Sequence, residues 1–163
     1  MDQTTVKPKT SPKDFFLHLL AMVALYVSAV SLTTVVFQLI NLSVPDALDQ
    51  HGYYTADSAR RIIRSSLSFL IVFFPVYLYT SWHLHTTYLK DVVKRSLWIR
   101  RWLLYFTLFV AALINIFTLV SLVNHLLDGE LTLRFCLKVL TIFFVAGSIF
   151  GYYLWDLKRD NVE

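Results

Sequence analysis

The chain has 163 residues, of which 56% are hydrophobic and only 16% are charged. With a mean hydropathy of +0.57, this composition excludes an ordinary soluble domain and also a disordered or low-complexity chain. The net charge of +4 is carried by basic residues between apolar stretches, where such residues set membrane topology, so we expect no nucleic-acid partner.

Four apolar stretches are each long enough to cross a bilayer, because about 20 helical residues span its hydrocarbon core. They cover residues 15–42, 65–84, 102–123 and 131–155. The predicted fold is therefore all-α, an antiparallel bundle of four transmembrane helices over residues 15–157. A tail of residues 1–14 precedes the bundle and a tail of residues 158–163 follows it.

The first stretch follows three lysines, as the apolar core of a signal peptide does, but it is much longer than such a core. We interpret it as a retained membrane anchor. Small residues recur along one of its faces at Ala21, Ala24 and Ser28. Helices in membranes approach closely at small residues, so this face should pack inside the bundle.

The second stretch follows three arginines and contains Pro75 near its middle. A proline inside a helix removes one backbone hydrogen bond and favours a kink there. The kink either adjusts the shape of the helix or serves as a hinge.

The third stretch carries Asn115, an amide near the middle of a span. A buried amide needs a partner, and we expect an interhelical hydrogen bond to Ser28, Ser31 or Thr34. The Asp128-Gly129 pair that follows is a strong turn signal, so the third and fourth helices should form a tight antiparallel hairpin.

The fourth stretch contains Gly147 and Gly151, a small-xxx-small pair that permits close helix crossing. The pair should lie in a packing contact inside the bundle. Homodimerisation through the same two glycines is the alternative, and it would make the protein a homo-oligomer.

Charge and tryptophan placement predict the orientation. Ten of the fifteen lysines and arginines lie in the two tails and in the connection between the second and third spans. The positive-inside rule puts these segments in the cytoplasm, so both termini should be cytoplasmic. All four tryptophans fall at the same interface, where indole rings are enriched.

The opposite, outer end carries polar and basic residues that suggest an anion or lipid-headgroup site. Arg134 and Lys138 begin the fourth span one turn apart, and Arg64 begins the second. Gln38 and Asn41 end the first span and are expected to orient the ligand. The alternative is that these cations extend to lipid headgroups or pair with nearby acids.

No enzyme motif and no metal-ligand pattern occurs, and we expect no catalysis and no cofactor. A b-type haem held by His18 and His83 is an alternative, since both histidines should lie at similar depth in the bundle. A small oligomeric channel or transporter is another, with a polar face on the third span at Thr107, Asn115, Thr118 and His125.

Five segments of the chain look familiar: residues 15–17, 37–40 and 100–103, and the two most specific, residues 129–138, GELTLRFCLK, and 151–159, GYYLWDLKR. Together they resemble an uncharacterised bacterial family of four-span membrane proteins, a domain of unknown function. The resemblance implies a bacterial inner-membrane location and no known activity. We expect a structural, accessory or self-associating membrane protein, alone or within a larger membrane complex.

Overall fold

A computed structural model describes residues 12–44, 56–90, 98–129 and 132–162. Four α-helices fill these ranges, and no strand occurs in them. They are α1 (Pro12–Ser43), α2 (Ala56–Lys90), α3 (Trp98–Leu127) and α4 (Leu133–Val162). Each contains an apolar segment of 26 to 29 residues, long enough to cross a membrane. The all-α prediction is confirmed, and these helices are those of a multi-pass membrane protein.

The helices alternate in direction and form an antiparallel bundle. The start of α1 lies beside the start of α3, where the Tyr26 hydroxyl donates a hydrogen bond of 3.3 Å to Thr107 Oγ1. The end of α1 lies beside the start of α4, where Arg134 contacts the carbonyl of Asn41. We call the end that holds the starts of α1 and α3 the terminal end, and the opposite end the hairpin end.

Helix α1 is the centre of the bundle, since it packs against each of the other three helices. Small residues make this possible: Ala24 is completely buried, Ser28 is buried, and Ala21 is half-buried. These three residues lie on the face of α1 that the sequence predicts to pack inside the bundle. Helix α2 packs mainly on α1, and only 6% of its apolar segment is buried. It is continuous through Pro75.

The outer surface of the bundle is apolar. Large hydrophobic side chains such as Ile71, Phe117 and Phe144 are about 70% exposed, which suits contact with lipid and would be unusual in water. Trp82, Trp102 and Trp155 are also exposed, and all three lie at the terminal end. The sequence predicts an interfacial belt of tryptophans, and these three share one end of the bundle as such a belt requires; the side chain of Trp98 lies outside the described residues.

Helices α3 and α4 form the predicted hairpin, whose turn depends on two residues. Gly129 has a φ of 71°, the left-handed conformation that ends many helices, and its N–H donates to Leu126 O. Thr132 then caps α4, because its Oγ1 accepts a hydrogen bond of 3.2 Å from the N–H of Phe135. The ring of Phe135 stacks on His125 with centroids 3.9 Å apart, which joins the two helices beyond the turn.

Replacing Gly129 with Ala should lower the free energy of unfolding by about 1 kcal/mol, because a Cβ disfavours positive φ. Space is not the obstacle, since a Cβ at this position would have no neighbour within 4 Å. Gly129→Asn is the control and should be nearly neutral, because Asn tolerates this conformation. Reversible denaturation in detergent, followed by circular dichroism, measures both; an Ala variant as stable as the Asn variant would contradict the prediction.

Two packing predictions are wrong. Gly147 and Gly151 are exposed, and a Cβ on either would meet open space, so they form no close contact inside the bundle. The physical reason is that α4 turns a different face, which includes Val139 and Ala146, toward the core. Asn115 does not bond to α1; its Nδ2 donates instead to Ala111 O on its own helix at 2.8 Å. A carbonyl one turn earlier is closer than a neighbouring helix, and it satisfies the amide locally.

Candidate functional site

The hairpin end brings together four of the five residues predicted for the anion site, and Arg134 is their centre. Its Nε donates to Val44 O at 3.0 Å and its Nη2 donates to Asn41 O at 3.1 Å. The last carbonyls of a helix have no partner within the helix and carry partial negative charge. Arg134 therefore caps the end of α1 from the start of α4, and this fixes the two helix ends together.

Lys138 lies one turn after Arg134 and also reaches α1. Its Nζ is 5.8 Å from the centroid of the Phe37 ring, within cation–π range. On the neighbouring turn of α1, Asn41 Nδ2 donates to the buried Gln38 Oε1 at 3.3 Å. The Oδ1 atom of Asn41 is buried and has no hydrogen-bond donor among the described residues. The cluster thus presents two cations beside a buried acceptor that lacks a donor.

Arg64, the fifth predicted residue, does not join this cluster. Its side chain is exposed on α2, and no hydrogen bond or ion pair within the described ranges connects it to the other four. The face of α2 that meets α1 contains Ala59 and Ser66 instead, which are buried. Arg64 lies off this face, so we remove it from the candidate site.

An apolar groove of about 290 Å³ begins at the cluster and runs along the bundle between α1, α3 and α4. Phe37, whose ring contacts the Lys138 ammonium, lines the part of the groove nearest the hairpin end. Ile142, one turn after Lys138, lines the groove from α4. The groove reaches Tyr26, about 16 Å further along α1 at 1.5 Å per residue. Val30 and Ile114 line it and are exposed, so it opens toward the bilayer.

A second, polar cavity of about 130 Å³ lies at the terminal end, where all four helices meet. Its polar lining includes His18 from α1, Tyr77 and Ser81 from α2, and Thr107 from α3. Helix α4 contributes Tyr152, Tyr153 and Asp156. His18 is buried, and Tyr77 and Tyr153 line the cavity from α2 and α4. The sequence offers these residues separately, and only the fold unites them.

The geometry does not bring the two suggested haem ligands together. His18 is buried and faces the cavity, whereas His83 is exposed on α2 and stacks on Tyr79, with ring centroids 6.3 Å apart. Tyr79 is itself 66% exposed, so this pair lies on the outside of the bundle. A bis-histidine haem site between these helices therefore does not fit this arrangement.

Sequence reasoning missed the apolar groove and most of the polar cavity. For the groove, a signal was available on α4, where Lys138, Ile142, Val145 and Ile149 recur at helical spacing on one face. For the cavity, Tyr153 and Asp156 are three residues apart, and Tyr77 and Ser81 are four apart. Each pair shares a helix face, but the sequence does not show that the two faces meet.

Comparison with known proteins gives one match. The profile of a family described as Domain of unknown function (DUF5671) matches residues 14–153, a range that contains α2 and α3 and most of α1 and α4. No curated protein and no solved structure matches the chain significantly.

Proposed function

We propose that this chain, which belongs to the DUF5671 family, is a four-span accessory membrane protein that binds one phospholipid at the hairpin end and has no catalytic chemistry of its own. The observation that supports this most directly is the position of Phe37. Its ring lies below the Lys138 ammonium and also lines the apolar groove. A polar site and an apolar groove that meet at one residue match the two chemically different parts of a lipid.

The polar part suits a phosphate-containing headgroup. Lys138 supplies one cation near the interface. Arg134 supplies the second, and its hydrogen bonds to α1 hold its guanidinium group in place. Both charges favour an anionic phosphate.

The apolar part suits an acyl chain. The residues lining the groove are almost all hydrophobic, and the groove is open along one side to the bilayer. A lipid can therefore enter sideways without leaving the membrane. Because lipid tails and these side chains are equally apolar, the tail contributes shape-dependent packing, and the headgroup contributes most of the selectivity.

A small oligomeric channel is supported less well. The polar groups of α3 donate to carbonyls of their own helix, Thr107 to Leu103 at 3.0 Å and Thr118 to Ile114 at 2.7 Å. Thr107 and Thr118 are also buried, so they form no exposed polar stripe along α3 that a permeating ion could follow.

We propose that the terminal end faces the cytoplasm and that the membrane is the bacterial inner membrane, so the lipid site would lie in the outer leaflet. Assembly with itself or with a larger complex belongs to the same proposal.

Native mass spectrometry of the protein purified in mild detergent tests the lipid site. We expect one phospholipid to remain bound to the wild-type protein. Lys138→Gln should reduce this occupancy several-fold, because each cation near a lipid surface contributes about 1 kcal/mol. Arg64→Gln is the matched control, since it removes a hairpin-end cation outside the site, and it should retain the lipid.

Blocking the groove tests the acyl-chain part separately. Ile114→Trp places a larger ring in the groove, whereas Ile116→Trp makes the same change at an exposed position that does not line it. Only the first should lose the bound lipid. Equal lipid content in the wild-type, Lys138→Gln and Ile114→Trp proteins would contradict the proposal.

A further inference from the structure

The polar cavity at the terminal end is one part of a longer cleft between α1, α2 and α4. An apolar cavity of about 340 Å³ lies next to it, toward the middle of the bundle, and Tyr77 lines both. On α1 the lining passes from His18 at the polar end to Leu32 at the apolar end, and on α4 it passes from Asp156 to Phe144. We call this continuous space the α2–α4 cleft. It extends about 20 Å along α1 at 1.5 Å per residue.

The α2–α4 cleft is open to the bilayer. Helix α2 packs mainly on α1, which leaves a gap between α2 and α4. Phe74 on α2 and Phe144 and Ser148 on α4 line the cleft at this gap, and all three are exposed. A ligand dissolved in the membrane can therefore enter sideways without unfolding the bundle.

The polar end of the cleft suits an uncharged group. Among its described lining residues none is Lys or Arg, so a phosphate would find no cation there. Asp156 has an interaction partner within the chain, which a cationic ligand would have to displace. The other polar groups are mainly hydroxyls, including those of Tyr77, Ser81 and Tyr153. A neutral head that forms hydrogen bonds with hydroxyls therefore fits this end.

The Ser81 hydroxyl provides a donor for such a head. Thr80 and Thr86, on the same helix, donate to carbonyls one turn earlier at 2.7 and 2.9 Å. Ser81 forms no such bond within the described ranges, although it is half-buried and lines the cavity. A half-buried donor of this kind favours a ligand with a hydrogen-bond acceptor, such as a carbonyl oxygen.

Ring surfaces and volume restrict the shape of the head. The rings of Tyr152 and Tyr153 meet edge to face with centroids 5.3 Å apart, and Tyr77 lines the cavity from α2. Such surfaces pack well against another flat ring. The polar cavity measures about 130 Å³, and a cavity of about 150 Å³ accommodates benzene. There is room for one ring, and the apolar cavity continues from it toward the middle of the membrane.

We propose that the α2–α4 cleft binds an isoprenoid quinone. The ring lies in the polar cavity, a ring carbonyl accepts a hydrogen bond from Ser81 Oγ, and the isoprenoid tail lies in the apolar cavity. The proposal is one of binding, and no electron transfer is part of it. The phospholipid site lies at the hairpin end, with its groove between α1, α3 and α4, so the quinone site does not depend on it.

The test uses the full-length protein in phosphatidylcholine nanodiscs, titrated with decylubiquinone. Quinones quench tryptophan fluorescence, and Trp82 is next to Ser81 in the chain, so binding should appear as a saturable decrease in emission. Decylbenzene has a ring and a tail of the same length but no carbonyl, and it should not displace the quinone. Dioctanoylglycerol is a neutral lipid without a ring and should not displace it either. Displacement by either compound at the concentrations at which decylubiquinone binds would overturn the assignment.

Two alanine variants test the polar end. Ser81→Ala removes the donor with little change in volume and should weaken decylubiquinone binding about two- to tenfold. Ser148→Ala is the matched control, because it makes the same change in the same cleft. The Ser148 hydroxyl already donates to Phe144 O at 2.6 Å, so this variant should bind like the wild-type protein.

Two tryptophan variants test the apolar end. Ser148→Trp places a large ring in the cleft, whereas Gly147→Trp adds the same ring at a neighbouring exposed position that does not line it. Only Ser148→Trp should lose saturable binding. Absence of saturable quenching in the wild-type protein, or equal affinities of the wild-type, Ser81→Ala and Ser148→Trp proteins, would overturn the proposal.

Discussion

Replacing Arg134 with Gln should lower the free energy of unfolding by about 2–3 kcal/mol. Two hydrogen bonds from a charged donor to the end of α1 disappear, at 3.0 and 3.1 Å in the wild-type protein, and hydrogen bonds to charged groups contribute about 1.5–3 kcal/mol. The favourable interaction of a cation with the C-terminal end of the helix is lost as well. Equilibrium denaturation in detergent, followed by tryptophan fluorescence, measures the change.

Two further variants separate this capping role from a general loss of charge. Arg134→Lys keeps the cation but cannot bond two carbonyls with a rigid fork, so it should recover only part of the stability. Arg60→Gln removes an exposed arginine whose ion pair with Asp57 spans 3.8 Å, and such pairs contribute little. If Arg60→Gln destabilised the protein as much as Arg134→Gln, the capping role would be wrong.

The helices themselves were predictable from hydropathy, since a membrane span requires a long apolar run. The ends of the helices were less predictable from hydropathy. Helix α2 begins at Ala56 and continues to Lys90, whereas the apolar stretch starts at Ser65 and ends at Leu84. Hydropathy detects only the part inside the hydrocarbon, but backbone hydrogen bonding continues into the polar flanks. The tight α3–α4 hairpin was predictable because Asp128-Gly129 is a local signal.

The candidate site was predictable in part. Spacing alone put Arg134 and Lys138 on one face of α4, and their position near Gln38 and Asn41 followed from an antiparallel bundle. Arg64 was included only because it begins the second span at the same end of the bundle. That position does not tell which face of α2 meets α1. The capping bonds of Arg134 join residues 90 and 93 positions apart. Such contacts depend on which helices are neighbours, and a single sequence does not contain that information directly.

Which helix faces meet a neighbour also decides which small residues matter for packing. Ala24 is 0% exposed at the centre of α1, so Ala24→Leu adds volume where none is available. Overpacking of this kind costs about 1–3 kcal/mol, and we expect a loss of unfolding free energy in that range. Gly147→Leu introduces the same side chain at a position where a Cβ has no neighbour within 4 Å. It should leave the monomer as stable as before or up to about 1 kcal/mol more stable, because Gly is a poor helix former.

Comparing the two variants also tests the remaining alternative for the glycine pair. Gly147 and Gly151 face outward, which is where a homodimer contact would have to lie. Analytical ultracentrifugation in detergent reports the oligomeric state independently of stability. If a wild-type dimer dissociates in Gly147→Leu while the monomer remains folded, the glycines form the contact between copies. If Gly147→Leu instead destabilises the monomer as much as Ala24→Leu does, the glycines pack inside the bundle, and the outward-facing arrangement of α4 is wrong.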